Sequence, residues 1–220
     1  MKKLINKYVI TTVLVYSLLP VQEVFATQSL AANVAVTNNY LWRGLEQTNG
    51  AAAISAGIDF DSASGFYLGS WVSTADWASG MNYELDIYAG FTGETNDVSY
   101  GFGVIHYAYP GSIEDLDFTE LNANISMGAY SLTYFVLANA NTVDFADDTY
   151  ISLDIEFDVF SDVGLAIHLG KGMDEFYAGE AYIDYGISLN KNGFSFAFSK
   201  TDLENDDAKF IISYTIDINL

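Results

Sequence analysis

The chain has 220 residues, no cysteine, and 8 Lys and Arg against 29 Asp and Glu, a formal net charge of −21. That charge excludes nucleic acid as a partner, because phosphates would be repelled, and the absence of thiols excludes a disulfide framework and thiolate chemistry. Half of the residues are apolar and 15% are aromatic, which is too hydrophobic for a disordered acidic chain.

The N-terminus reads as a secretory signal. Lys2, Lys3 and Lys7 form a basic start, residues 8–19 are an uncharged apolar run, Pro20 breaks it, and Val24-Phe25-Ala26 fits a small-residue cleavage site. The run is shorter than the roughly 20 residues that a spanning helix needs. Ala31 and Ala32 offer alternative cleavage points. The expected organisation is a signal peptide over residues 1–26 and a single domain over 27–220. Taking three Lys and one Glu from the 8 basic and 29 acidic residues leaves 5 against 28 in that domain. An exported chain without disulfides needs another source of stability, and a closed ladder of backbone hydrogen bonds supplies one.

Beyond the signal, alternation predicts twelve strands: 31–42, 50–60, 65–74, 82–93, 97–108, 118–128, 130–139, 149–158, 162–170, 180–190, 193–200 and 208–220. Each is long enough to cross a hydrocarbon core when tilted, which takes about 9 to 11 residues. In 82–93, Tyr83, Leu85, Ile87, Ala89 and Phe91 oppose Glu84, Asp86, Tyr88 and Gly90. In 149–158, Ile151, Leu153, Ile155 and Phe157 oppose Ser152, Asp154, Glu156 and Asp158. In 180–190, Ile183, Tyr185, Ile187 and Leu189 oppose Tyr182, Asp184, Gly186 and Ser188. Strands 65–74 and 130–139 carry apolar residues on both faces, so their orientation stays open. The last strand alternates from Phe210 through Ile212, Tyr214, Ile216 and Ile218 to Leu220. An apolar terminal strand would leave a bare edge in a soluble protein, whereas it makes sense as the strand that closes a barrel.

The connections alternate in length. Residues 61–64, 94–96, 129, 159–161 and 191–192 are short, whereas 43–49, 75–81, 109–117, 140–148, 171–179 and 201–207 are longer and mostly polar. Outer-membrane barrels have short periplasmic turns, long external loops and an even strand count. The predicted fold is therefore an all-β, antiparallel transmembrane β-barrel of about 12 strands, preceded by a cleaved signal peptide. Alternation alone does not say whether the apolar face meets lipid or a soluble core. The signal, the loop asymmetry and the last strand favour lipid. Tyr40, Trp42, Phe60, Phe66, Tyr67, Tyr83, Phe91, Tyr107, Tyr109, Phe118, Tyr130, Tyr150, Phe157 and Phe160 lie near predicted turns, where an aromatic girdle is expected.

Parity places Asp59, Glu84, Asp86, Glu120, Asp154, Glu156, Asp184 and Asp217 in the lumen, with Arg43 and His168 as basic candidates. Carboxylates facing lipid would be costly, and an acidic interior attracts cations and repels anions. These ten residues are the expected pore lining. His106 shares parity with Phe102 and Val104 and is expected near the outer interface. Neither histidine sits in a catalytic constellation, so no enzyme is expected. The acidic loops around Glu114, Asp144 and Asp202 lack the spacing and central glycine of a calcium loop, and no metal or cofactor is expected.

Several segments together resemble the TorF-like family of porins: Asn39-Tyr40-Leu41-Trp42-Arg43-Gly44-Leu45-Glu46-Gln47, Gly65-Phe66-Tyr67-Leu68-Gly69-Ser70-Trp71, Tyr83-Glu84-Leu85-Asp86-Ile87-Tyr88-Ala89-Gly90, Tyr107-Ala108-Tyr109-Pro110-Gly111 and Phe118-Thr119-Glu120-Leu121. Glu46 departs from the small polar residue expected there, and the chain ends on Leu220 rather than on an aromatic. The resemblance implies an outer-membrane barrel and a pore, and supplies no substrate or catalytic residue. The functional expectation is passive diffusion of small cationic or neutral solutes through an acidic lumen. A plugged structural or surface-interaction barrel acting through its acidic loops is the alternative. Outer-membrane lipid, small solutes and the barrel-assembly machinery, engaged through the C-terminal strand, are the expected partners.

Overall fold

In the computed structural model, residues 28–141, 143–160 and 162–220 are described. The predicted signal segment lies outside them. The chain begins with β1 (Ser29–Thr37) and a small hairpin of β2 (Leu41–Trp42) and β3 (Leu45–Glu46). Eleven longer strands follow: β4 (Ala53–Asp61), β5 (Phe66–Thr74), β6 (Tyr83–Thr95), β7 (Val98–Ala108), β8 (Phe118–Met127), β9 (Tyr130–Ala140), β10 (Thr149–Phe160), β11 (Val163–Gly172), β12 (Tyr182–Lys191), β13 (Phe194–Thr201) and β14 (Lys209–Asn219).

All of these except β2 and β3 join one closed antiparallel barrel of twelve strands. Each neighbours the next in sequence, and β1 pairs with β14 on one side and β4 on the other. Closure is in register from Ala31 opposite Asn219 to Thr37 opposite Ser213, and the Leu220 N–H donates to the Leu30 carbonyl at 3.0 Å. The expected loop asymmetry is present. Between β12 and β13 the turn is Asn192-Gly193, both at positive φ (51° and 82°), the geometry of a two-residue hairpin turn that follows strand twist.

The period-2 pattern becomes a period-2 burial. In β12, Tyr182, Asp184, Gly186, Ser188 and Asn190 are buried, and Ile183, Tyr185, Ile187 and Leu189 are exposed. The exposed set continues around the barrel through Ile58, Leu68, Ile87, Phe102, Ile125, Leu132, Phe196, Ile212 and Ile216. Buried inside are Glu84, Asp86, Glu120, Asp154, His168 and Asp184. A soluble barrel would have the reverse arrangement. An apolar belt running around the whole molecule far exceeds the patch a soluble monomer exposes, and it is what a hydrocarbon environment requires of a barrel's outer wall. The two strands of open orientation resolve the same way. Trp71 of β5 packs against the buried aromatic core and Phe135 and Leu137 of β9 lie within it, while Leu68, Leu132 and Tyr134 are exposed.

Two expectations need correction. The first predicted strand, 31–42, ends at Thr37. Asn38 turns the chain out of the ladder: its Nδ2 donates to the Phe210 carbonyl at 3.0 Å and its Oδ1 accepts the Ile212 N–H at 2.8 Å. Residues 41–42 belong instead to the small hairpin. The second correction concerns the aromatic girdle. Phe66, Tyr83, Tyr130, Phe157 and Phe160 are exposed on the outside, but Tyr40, Trp42, Tyr107, Tyr109, Phe118 and Tyr150 are buried. They form one packed cluster with Phe135, Leu137, Tyr177 and Tyr182. Tyr107, Phe118 and Tyr150 have inward parity, and closeness to a strand end did not decide their side.

Candidate functional site: a hairpin seated in the lumen

The first long connection, residues 38–52, folds into the barrel. Its tip is Arg43-Gly44, both at positive φ (51° and 78°), so the sequence Trp42-Arg43-Gly44-Leu45 makes a tight two-residue turn. A Cβ on Gly44 would lie 2.8 Å from both Asp184 Cβ and Thr201 Cγ2. Only glycine therefore lets the tip press against the wall of β12 and β13. Around the turn, Asn39 Nδ2 donates to Glu46 Oε1 at 2.7 Å and the Gln47 N–H donates to the Tyr40 carbonyl at 2.8 Å. Glu46, the departure noted in the sequence, thus braces the hairpin.

Contacts to several walls hold the hairpin. Leu41 packs with Ala197 of β13 and Ile211 of β14. The Tyr40 hydroxyl donates to Glu84 Oε1 of β6 at 2.8 Å, and its ring meets Trp71 of β5 edge-on. The Tyr182 hydroxyl of β12 donates to the Arg43 carbonyl at 3.2 Å.

Arg43 is the centre of the arrangement. Its Nη1 and Nη2 donate to the two carboxylate oxygens of Glu120 at 2.9 and 2.8 Å, a bidentate pair with side chains 1% and 0% exposed. Four rings surround the guanidinium, with Tyr150, Trp42, Phe135 and Tyr177 centroids 4.2, 4.3, 4.4 and 4.7 Å from Cζ. Glu120 also accepts hydrogen bonds from the Tyr107 hydroxyl, at 3.0 Å, and from the Tyr177 hydroxyl. A register shift between Thr119 and Glu120 falls at this point, where β8 meets β9. Such a bulge bends a strand and re-aims its side chains, and here Glu120 lies opposite Leu137, both fully buried. Tyr177 arrives from the loop between β11 and β12. That loop is held by Asp148, whose carboxylate accepts the N–H groups of Thr149, Asp174 and Phe176 at 2.6 to 3.0 Å.

A second cluster adjoins the first through Tyr150. His168 Nδ1 lies 2.6 Å from Asp154 Oδ1, and Nε2 lies 2.9 Å from Asp184 Oδ1 and 3.1 Å from the Tyr150 hydroxyl. That hydroxyl donates to Asp184 Oδ2 at 2.8 Å, and Ser152 donates to Asp154 at 3.1 Å. Gly170 lies under this cluster. A Cβ there would overlap the Tyr150 hydroxyl and the Asp184 carboxylate. Overpacking of this kind costs about 1–3 kcal/mol. Gly170→Ala is expected to unfold at lower temperature than the parent in heat-dependent gel-mobility assays.

Of the ten residues expected in the lumen, Arg43, Glu84, Asp86, Glu120, Asp154, His168 and Asp184 are buried; Asp59 is half-buried, and Glu156 and Asp217 are exposed. The fold brings Arg43 to Glu120, and His168 to Asp154 and Asp184; Glu84 meets Tyr40, with Asp86 two residues along the same face. Asp59, which accepts a hydrogen bond from Tyr88, Glu156 and Asp217 lie toward the short-turn end. His106 faces outward and is within 3.0 Å of Thr119 Oγ1. Sequence reasoning missed Trp42, Tyr107, Phe135, Tyr150 and Tyr177 as site residues. The parity that selected Asp154 also selects Tyr150, so that signal was available; Tyr177 carried none, since loop residues have no parity.

The acidic loops serve as turn builders. Asp117 accepts the Tyr109 N–H, Asp147 the Asp144 N–H and Asp202 the Ile183 N–H, at 2.6 to 2.8 Å. Asp206 accepts from Lys209 and from both the N–H and the hydroxyl of Thr201. Burial pushes the Asp206 carboxyl up, but these bonds outweigh it and hold the group below the ordinary carboxylate range. Among the described residues, no three His, Asp or Glu side chains are grouped to hold a metal ion.

A closed twelve-strand antiparallel barrel with an apolar outer belt and a polar, hairpin-filled interior has the fold of bacterial outer-membrane porins. The chain belongs to the bacterial protein family of unknown function Gcw_chp, whose model matches residues 22–218. That description carries no porin name, so the TorF-like resemblance rests on the segments quoted for it. Comparison with curated proteins gives no match. Among solved structures, the chain is similar to the KdgM porin, alone (TM-score 0.51, 11% identity, 87% of this chain and 99% of that one) and in complex with disordered oligogalacturonate (TM-score 0.55, 10% identity, the same coverage). It is also similar to a protein described under "Unveiling the Mechanism Behind the in-meso Crystallization of Membrane Proteins" (TM-score 0.58, 7% identity, 87% and 84% covered). At these identities the likeness is one of fold.

Proposed function

We propose that the protein is an outer-membrane channel for passive diffusion of small cationic or neutral solutes, exported by its N-terminal segment and assembled through β14. The observation that carries this reading is the inner surface. Glu84, Asp86, Glu120, Asp154 and Asp184 are buried there with Arg43 and His168, and in this reading Asp59, Glu156 and Asp217 extend the lining. A barrel that had only to fill its interior would be more stable with apolar packing, since buried charges seldom repay their desolvation. Carboxylates lining a passage attract cations and repel anions. The complexed KdgM porin holds oligogalacturonate, a polyanion; the acidic lumen here argues for cargo of the other sign. Purified protein in planar bilayers under a KCl gradient is expected to give small, cation-selective currents. Absence of channels, or a reversal potential of anion sign, would overturn the reading.

One observation favours the alternative, a plugged barrel acting through its loops. Arg43, Glu120, Leu137 and Asp184 are at most 1% exposed, so the long-loop half of the lumen is filled. Swelling of loaded liposomes separates the two: a permanently plugged barrel gives none in any small solute.

A further inference from the structure

The wall around Arg43 offers a carboxylate and aromatic faces to a cation. Removal of the hairpin leaves Glu120, Phe135, Tyr150 and Tyr177 in place, because these belong to β8, β9, β10 and the loop pinned by Asp148. They present a carboxylate pre-aimed by the hydroxyls of Tyr107 and Tyr177 and three aromatic faces within 4.7 Å of the bound cation. A bidentate carboxylate selects a planar guanidinium by shape as well as charge, and an aromatic cage favours a desolvated cation over a neutral isostere. The wall grips the two terminal nitrogens of Arg43, the groups that any monosubstituted guanidinium presents. The rest of the hairpin seats Leu41 against Ala197 and Ile211, Gly44 against Asp184 and Thr201, Tyr40 against Trp71 and Trp42 among Tyr107, Phe118 and Tyr177, so the Arg43 pair is the one ionic contact of the seat among the described residues.

We propose that the cage of Glu120, Phe135, Tyr150 and Tyr177 is a binding site for solutes bearing a guanidinium or alkylammonium group, which Arg43 occupies in the closed barrel as a tethered competitor. The proposal rests on the channel reading and deepens it. A cationic solute that enters the cage displaces Arg43, and the hairpin then leaves the lumen. The cargo thus opens its own path, and neutral solutes of the same size do not.

The test is chemical rescue in the full-length folded barrel. In Arg43→Ala the cage is empty, and agmatine is expected to bind saturably by calorimetry and to raise the thermal midpoint of the variant. Butylurea, with an uncharged planar head of guanidinium shape and no terminal ammonium, is expected to do neither. Adding Glu120→Gln is expected to weaken agmatine binding at least about tenfold, through loss of the charged bidentate pair. Equal binding by Arg43→Ala and by the Arg43→Ala, Glu120→Gln double variant would overturn the proposal. If Arg43→Ala assembles only when agmatine is present during refolding, the proposal is supported; if it fails to assemble with and without agmatine, the cage does not accept a free cation and the proposal falls. These readings do not depend on conduction. A parent protein that passes no current therefore removes the channel reading while the binding result stands by itself.

Discussion

Glu120→Ala is expected to destabilise the barrel by about 3–5 kcal/mol, the usual cost of leaving one partner of a buried ion pair alone. Arg43 would then be fully buried among rings with no carboxylate, and the hydroxyls of Tyr107 and Tyr177 would lose their acceptor. The measurement is the midpoint of urea or thermal unfolding, followed by the shift between folded and unfolded gel mobility. The informative comparison is the double variant Arg43→Leu, Glu120→Leu. Both charges are absent there, no buried ion is stranded, and most of the lost stability should return. A double variant as weak as Glu120→Ala would mean that the pair itself stabilises the fold. A Glu120→Ala protein as stable as the parent would mean that the hairpin leaves the lumen freely, and the seat of Arg43 on Glu120 would not be the resting state.

Deleting residues 210–220 is expected to abolish the barrel altogether. These residues form nearly all of β14, which pairs with β1 from Thr37 to Ala31 and with β13 from Phe194 to Ser199. Without them β1 and β13 would expose their backbone N–H and C=O groups to hydrocarbon, at several kcal/mol for each unsatisfied group. No soluble refuge exists, because the outer wall is apolar all round. The truncated chain should fail to become protease-resistant in outer-membrane vesicles or detergent and should lose its heat-dependent mobility shift. Insertion with full protease resistance would show that a ten- or eleven-strand barrel can close on its own.

The sequence by itself determined the strands, their number, the alternation of short and long connections and, outside residues 65–74 and 130–139, which side of a strand is polar. These are local properties. Period-2 alternation is written into Ile183 through Asn190 without reference to any other part of the chain, and an Asn192-Gly193 turn needs only its own two residues. Closure was legible too, since Phe210 to Leu220 forms a greasy edge that must find a partner. The tertiary structure alone decided that residues 38–52 enter the barrel, that Tyr107, Phe118 and Tyr150 pack inside rather than at the membrane surface, and that Arg43 meets Glu120. The reason is physical. Arg43 and Glu120 are 77 residues apart, and Tyr182 reaches the Arg43 carbonyl across 139. Alternation assigns a face to each side chain but says nothing of the distance between faces. Only when twelve tilted strands fix the width of the lumen can one short hairpin span it, with Gly44 against one wall and the Arg43 guanidinium against another.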